Sequence, residues 1–394
     1  MTTRRLVAAA LLSSAVAALL APRDAAAIPA FARRYGLSCT ACHQPFPQLK
    51  AFGEEFAGRG FAMPPGQEPA RSEIDNGDSL LLLPREFPIA VRFDGFATLQ
   101  DRSPQTDFQT PWIVKLLAGG RIAEGFSIYG YYILEKGEIG KLEDFYAQLT
   151  EPFGAPFSVL FGQFQISDPI VKRELRLERL DYAILTTRVG LSIVDLTYDR
   201  GVALAGGYGP VGAVLSVTNG TGIGEPIGEG LDKDKYKNVS LHLTGDLERF
   251  GVGPLRVGAF GFWGREAAGD GLLGSNRTWY LGPQASYAFG ELAQLSVVYL
   301  ERRDSNPLFV AAASEVETRG GFAELILHPQ GADGRHAFAF LYNKVDSDLD
   351  DSDAESAAAT ASYLFRRNVR FVAELERDLE HSDWIGSLGV VAAF

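Results

Sequence analysis

Cysteine is almost missing from this chain: 394 residues carry two, Cys39 and Cys42. A single pair is too few for a disulfide framework or a four-cysteine zinc site. Long apolar runs are missing as well. Beyond the first 27 residues no window approaches the roughly 20 apolar residues that a membrane-spanning helix needs. Methionine is reduced to Met1 and Met63. There is no phosphate-cradling glycine loop, no H-E-x-x-H, no nucleophile elbow and no basic patch for nucleic acid. Gly220, Gly222 and Gly224 lack the strand-to-helix setting and read as loop. The formal net charge of -12 favours the approach of cations over anions.

What is present begins with residues 39 to 43, Cys-Thr-Ala-Cys-His. This C-x-x-C-H run is the attachment signature of a c-type haem. The two thiols add across the vinyl groups, and His43 ligates the iron from the proximal side. A bare redox dithiol would need a thioredoxin-like strand-helix setting, which is not found here. The N-terminus agrees with haem attachment outside the bacterial inner membrane. Arg4 and Arg5, the apolar stretch from Leu6 to Leu20, and Ala25-Ala26-Ala27 make a secretory signal peptide over residues 1–27. The stretch is too short for a membrane anchor.

The rest of the chain alternates. Ile89, Val91, Phe93, Gly95, Ala97 and Leu99 fall on one face, with Arg92, Asp94, Thr98 and Gln100 on the other. Val239, Leu241, Leu243 and Leu247 oppose Ser240, His242, Thr244 and Asp246, and Phe371, Ala373 and Leu375 oppose Arg370, Glu374 and Glu376. Strands of roughly 10 to 12 residues with this dyad suit an outer-membrane barrel, one face to lipid and one to a polar lumen; sandwich strands are shorter, nearer about five or six. Turn signals at Gly119-Gly120, Gly137, Gly154, Asn219-Gly220, Gly251 and Asn306-Pro307 divide residues 87–394 into about 16 antiparallel strands. Trp112, Tyr129, Tyr131, Tyr132, Trp263, Trp279, Tyr280, Tyr287, Tyr299 and Trp384 are expected in interfacial girdles. Trp384 to Phe394 ends in an aromatic residue, which resembles the C-terminal recognition signal of bacterial outer-membrane proteins. Ser167 to Leu180 does not alternate and reads as a loop folded inward or a short helix.

Residues 28–86 form the expected haem domain. Phe31 and Tyr35 stand one helical turn apart, and Pro47 is placed to open a helix striped with Leu49, Phe52 and Phe56, ended by Gly58 and Gly60. So small a domain has little core of its own, so it is expected to plug the barrel and complete its burial there. Met63, in Ala62-Met63-Pro64-Pro65, resembles the axial-ligand loop of small bacterial cytochromes c and is the candidate distal ligand. The rivals are His242, His328, His336 and His381, or an open site holding water. Arg33, Arg34 and Lys50 read equally as partners of the haem carboxylates and as solvated surface charge. The acidic run Asp346, Asp348, Asp350, Asp351, Asp353 and Glu355 offers hard oxygen ligands to ferrous iron or calcium, though outer loops are polar in any case.

Residues 29 to 36 (Pro-Ala-Phe-Ala-Arg-Arg-Tyr-Gly), the haem motif, residues 47 to 53 (Pro-Gln-Leu-Lys-Ala-Phe-Gly), Phe56 and Gly60-Phe61 together resemble the N-terminal module of the fused monohaem cytochrome-porins of bacterial outer membranes. The similarity in detail covers about the first tenth of the mature chain; the barrel resembles the family in architecture. Gly162-Gln163-Phe164 and Val217-Thr218-Asn219-Gly220 also resemble phosphate-selective porins. The cytochrome-porin resemblance implies a one-electron oxidoreductase of the outer membrane. It would carry one covalent haem c on Cys39, Cys42 and His43, take electrons from extracellular Fe(II), and pass them to a periplasmic c-type cytochrome. The alternative it leaves open is a porin for solutes, anions among them, whose haem domain serves as plug, sensor or redox gate. A third variant keeps electron transfer with another metal or a mineral surface as donor.

Overall fold

The computed structural model describes residues 30–394 apart from 45–46, 65–66, 68–72, 79, 87, 102–104, 136–139, 225–231, 233 and 269–272. The expected signal peptide and the turn at Gly137 lie outside the described residues. Three short helices come first, α1 (Ala30–Tyr35), α2 (Cys39–Cys42) and α3 (Ala51–Gly58), followed by a small strand pair, β1 (Glu73–Ile74) and β2 (Leu83–Pro84).

The remaining strands are β3 (Ile89–Gln100), β4 (Gln105–Ala123), β5 (Phe126–Glu135), β6 (Lys141–Thr150), β7 (Phe157–Gln165), β8 (Tyr198–Tyr208), β9 (Val211–Thr218) and β10 (Asn238–Asp246). They continue as β11 (Leu255–Ala267), β12 (Ser275–Phe289), β13 (Ala293–Asp304), β14 (Val316–Leu327), β15 (His336–Ser347), β16 (Ala354–Arg366), β17 (Val369–Asp378) and β18 (Asp383–Ala393). These sixteen pair antiparallel with their neighbours into a closed barrel. Closure joins β18 to β3, from Ile385 opposite Gln100 to Ala393 opposite Arg92. The terminal residue completes the seam: the Val91 amide donates to the Phe394 carbonyl at 2.7 Å, and the Phe394 amide returns the bond at 2.9 Å.

The period-2 pattern decides which side each residue faces. Arg370 and Glu374 of β17 are buried inside while Phe371 and Leu375 are exposed outside, and Ser240 and His242 of β10 face in while Leu243 faces out. Leu99, Phe161, Leu281 and Leu388 on the outer face are all more than half exposed to solvent. An exterior of this kind is a liability in water and the buried face in lipid, and closure leaves no unpaired edge. No helix among the described residues is long and apolar enough to cross a membrane.

Two expectations need correction. Gly119-Gly120 lies inside β4, which runs unbroken to Ala123, so it is not a turn. The aromatic residues are not all in outer girdles: Tyr131 and Tyr280 are buried inside, Trp112 packs on Phe96, Val372 and Val391, and Tyr129 stacks on Phe61, whereas Tyr132, Trp263 and Tyr299 are exposed outside. Adjacent residues such as Tyr131 and Tyr132 point to opposite faces of a strand and cannot share a girdle.

The non-alternating stretch does fold inward, and further than Ser167 to Leu180. Residues 166–197 run from β7 to β8 through the lumen, with one helical turn, α4 (Ala183–Thr186). Tyr182, Ile184, Leu185, Val194 and Leu196 form a buried apolar core with Phe260, Phe262, Tyr280, Leu300 and Phe322 on the inner wall. Arg302 holds the segment in place. Its fully buried guanidinium pairs with Asp304 at 2.6 Å and donates to the carbonyls of Thr187 at 3.0 Å and Val194 at 2.9 Å. A buried charge is tolerated only when paired and hydrogen-bonded in this way.

Candidate functional site

Helix α2 is a single turn, capped by Ser38, whose hydroxyl accepts from the Thr40 amide at 3.3 Å. Cys39 and Cys42 are three residues apart and so lie on one face of it. The chain leaves the helix at His43, whose amide still donates to the Cys39 carbonyl at 2.8 Å. It then doubles back: His43 bridges Leu49, the Gln44 amide donates to Gln48 at 2.9 Å, and the Lys50 amide donates to the Cys42 carbonyl at 2.7 Å.

This return sets the imidazole. His43 Nδ1 lies 2.9 Å from the Pro47 carbonyl oxygen and 3.2 Å from that of Gln48. A carbonyl only accepts, so Nδ1 carries the proton and Nε2 keeps a lone pair for a metal. Burial lowers the His43 pKa from its ordinary value and keeps the ring neutral. Burial raises both thiols, the reverse of the low-pKa thiolate that a redox dithiol needs. Two thiols on one helical face beside a neutral, oriented imidazole fit a covalently attached haem.

Helix α3 begins at Ala51, not at Pro47, because Gln48, Leu49 and Lys50 pair back onto Gln44, His43 and Cys42. It packs directly on the motif: a Cβ on Gly53 would lie 2.4 Å from the Cys42 carbonyl oxygen. Phe31, Phe56 and Phe61 cluster beside it, Phe31 stacking on Phe61 at 4.5 Å.

The helices pack into one mouth of the barrel, the end with the short turns and the C-terminus, which in outer-membrane barrels faces the periplasm. Phe61 stacks on Tyr129 of β5 at 4.5 Å, and Gln148 of β6 donates to the Gly58 carbonyl at 2.7 Å. Gly60 is at φ +68°, where a Cβ would overlap the Ser127 hydroxyl. Lys50 reaches Asp333 in the β14–β15 turn at 3.1 Å, and Arg59 reaches Glu151 in the β6–β7 turn at 3.0 Å.

Between helices and barrel lies a cavity of about 280 Å³ that Cys39, Cys42 and His43 all line. Phe31, Leu49, Phe56 and Phe61 give it an apolar near side, and Arg92, Lys115, Tyr131, Asp144 and Arg370 a polar far side, with Asp168, Lys172 and Glu174 of the inward segment above. Met63 is half-buried and does not line it. None of the four barrel histidines lines it either. His242 lines a second, larger cavity of about 800 Å³, walled by β6 to β14, the inward segment and α3, and bearing Ser216, Ser240, Thr244 and Gln284. His336 lies 3.1 Å from Gln330 and His381 2.9 Å from Asp378.

The three module cations weighed as carboxylate partners or surface charge are engaged elsewhere. Arg33 donates to the Ile89 carbonyl, Lys50 is on the rim, and Arg34 is buried with its guanidinium 5.3 Å from the Tyr35 ring. The acidic run holds local backbone: Asp348 accepts from the Glu317 amide of β14 at 2.9 Å and Asp353 from the Ser347 amide at 2.6 Å. No cluster of metal-binding side chains is found among the described residues. Lys115 and Asp144 were missed from the sequence; each is a charged residue at an inward strand position, which is the signal that would have found them.

No protein-family model and no curated protein matches this chain. Solved structures do match in fold. The anion-selective porin from Comamonas acidovorans aligns over 78% of this chain and 98% of its own at 13% identity, TM-score 0.57. OmpT, an outer membrane protein of Vibrio cholerae, aligns over 78% and 97% at 10% identity, TM-score 0.54. Salmonella typhi OmpF, solved in complex with daunomycin, aligns over 82% and 100% at 12% identity, TM-score 0.54. At these identities the likeness is one of fold.

Proposed function

We propose that this chain is an outer-membrane barrel that holds one haem c on Cys39, Cys42 and His43, and that it serves one-electron transfer from an extracellular donor to a periplasmic c-type cytochrome. Ferrous iron is the donor we favour, on the resemblance of the N-terminal module to the cytochrome-porins. The observation that carries the proposal is the shared cavity: both thiols and the imidazole of the C-x-x-C-H motif face one space, with His43 Nδ1 bonded to the Pro47 carbonyl at 2.9 Å.

Bound there, the haem supplies a one-electron couple, the stoichiometry of iron oxidation. The rest is done by this chain's own residues. Pro47 and Gln48 orient the imidazole, Gly53 lets α3 close on the motif, and Phe31, Phe56, Phe61 and Tyr129 keep water from the apolar side. The rim ion pairs Lys50–Asp333 and Arg59–Glu151 seat the helices as a plug, at the mouth where a soluble periplasmic partner docks. The apolar exterior seats the barrel in outer-membrane lipid.

A second reading is favoured by the larger cavity and by the porin-like neighbours. In it the barrel passes solutes, and the helical plug is its gate or sensor. Anaerobic stopped-flow absorbance of the oxidised, detergent-purified protein mixed with ferrous iron tests the first reading. Rapid reduction of the haem bands supports it. A haem that dithionite reduces and ferrous iron does not, together with conductance in planar bilayers, would replace it with the second.

A further inference from the structure

The small cavity is asymmetric in charge. Its module side, around the two cysteines, is apolar. Of the charged residues that line it, five are cations (Arg92, Lys115, Lys172, Arg367 and Arg370) and three are carboxylates (Asp144, Asp168 and Glu174). None of the eight belongs to the helical module.

Register puts three of the cations together. Arg92 of β3 is directly opposite Lys115 of β4. Asp94, on the same face as Arg92, is opposite Val391 of β18, which is opposite Arg370 of β17. The three therefore stand in one crescent on the inner wall, where Lys115 is 6% and Arg370 4% exposed. Arg92 holds Asp94 at 2.6 Å, Lys115 pairs with Glu174, and the Lys115 ammonium sits 3.9 Å above the Tyr131 ring. The wall across from the module thus gathers cations beside the apolar near side of the cavity, and buried cations favour further anionic or hydrogen-bonding partners.

Haem chemistry supplies such partners. A haem joined to protein through its two vinyl-derived carbons carries both carboxylates on the opposite edge of the ring. With the thioethers at Cys39 and Cys42, groups across the cavity from α2 are placed to receive them. Arg33, Lys50 and Arg59 of the module are not, since they bond to Ile89, Asp333 and Glu151, and Arg34 lies against Tyr35. We propose that Arg92, Lys115 and Arg370 form the carboxylate-binding subsite of the haem tethered at Cys39 and Cys42. The proposal rests on the haem reading above. Its consequence is that the barrel builds half of the cofactor's environment and is more than a sleeve: the haem ties α2 to β3, β4 and β17, and the crescent keeps its carboxylates ionised.

The test is the pH dependence of the haem midpoint potential in the purified holoprotein, for wild type and for Arg92→Gln, Lys115→Met and Arg370→Gln. Haem per chain and heat-modifiable gel migration are read first, to establish loading and barrel folding. Removing a cation makes a carboxylate easier to protonate, so each variant should bind the carboxylate proton about tenfold more tightly, moving the break in the profile up by about one pH unit. Arg92→Lys should restore most of the wild-type profile, and Lys344→Gln on the exposed outer face of β15 should leave it unchanged. A variant that fails to fold is replaced by its milder form, Arg92→Lys, Arg370→Lys or Lys115→Gln, with a smaller shift in the same direction expected. Fully loaded, folded variants with the wild-type profile would overturn the proposal. Wild-type protein without covalent haem would overturn the reading beneath it as well, and haem staining separates that failure from the first.

Discussion

His43 and Pro47 are joined across the turn that follows the motif, Nδ1 to carbonyl oxygen at 2.9 Å, so the backbone itself selects which imidazole nitrogen is left for a metal. The bond exists because the chain reverses between His43 and Leu49; a continuing helix would have carried the Pro47 carbonyl away. Replacing His43 by Gly should leave haem covalently attached but shift its absorption to that of a weakly ligated iron. Added imidazole should restore the native bands. A spectrum unchanged in the variant would remove His43 from the iron.

The thiols give a separate test. Cys39→Ser combined with Cys42→Ser should abolish haem staining on denaturing gels. The barrel should still show heat-modifiable migration, since sixteen strands close without any contribution from α2. Haem that persists through denaturation in the double variant would mean attachment elsewhere.

How far the sequence predicted these features depends on what each was written in. The strands are written in local alternation and could be read as the barrel that closes; the C-x-x-C-H run is equally local, and the haem it would carry is a proposal. Gly119-Gly120 was misread as a turn because glycine marks turns and β4 accepts it mid-strand. The aromatic girdle was overcounted because composition does not record the face a residue takes, as Tyr131 and Tyr132 illustrate. The inward segment was noticed where its charges break the alternation, but its apolar half, Tyr182 to Leu196, looks like a strand until it is seen packing on Phe260 and Phe322. The crescent of Arg92, Lys115 and Arg370 was out of reach, because only closure of β18 on β3 brings residue 370 beside residue 92.

Gly53 is a tight contact. An alanine there would put its Cβ 2.4 Å from the Cys42 carbonyl oxygen, and backbone cannot yield as a side chain does. Gly53→Ala should therefore loosen α3 from the motif at a cost of about 1–3 kcal/mol. Limited proteolysis should cut within residues 51–64 faster than in wild type, while the barrel fragment stays intact. Equal cleavage rates would show that α3 can shift without penalty.

Arg302 is the anchor of the inward segment. Its removal leaves Asp304 buried and the carbonyls of Thr187 and Val194 without their donor, and breaking one partner of a buried pair typically costs about 3–5 kcal/mol. Arg302→Ala should release residues 166–197 from the wall. Planar-bilayer conductance should then exceed that of wild type, because the apolar core with Phe260, Phe262 and Tyr280 no longer fills that side of the lumen. If both proteins pass the same current, the segment is not what limits flow.

The same segment should respond to pH through Glu178. Burial, with Glu324 of β14 and Glu374 of β17 nearby, pushes this carboxyl from 4.5 up to about 8, against the pull of Arg176. In the seated segment Glu178 therefore keeps its proton over a range in which the released segment has lost it. By linkage, the seated form is favoured most below pH 4.5, and that advantage falls as pH rises and is gone above about 8. The wall carboxyls near it also hold the segment, Glu374 accepting from the Arg179 amide at 2.7 Å and Glu324 from the Tyr182 hydroxyl at 2.6 Å, so ionising Glu178 adds negative charge beside two groups that serve as acceptors. Protease cleavage within residues 166–197, followed as pH is raised across that window, should accelerate in wild type and stay flat in Glu178→Gln, whose amide does not ionise. A flat wild-type profile would show that ionisation of Glu178 does not release the segment.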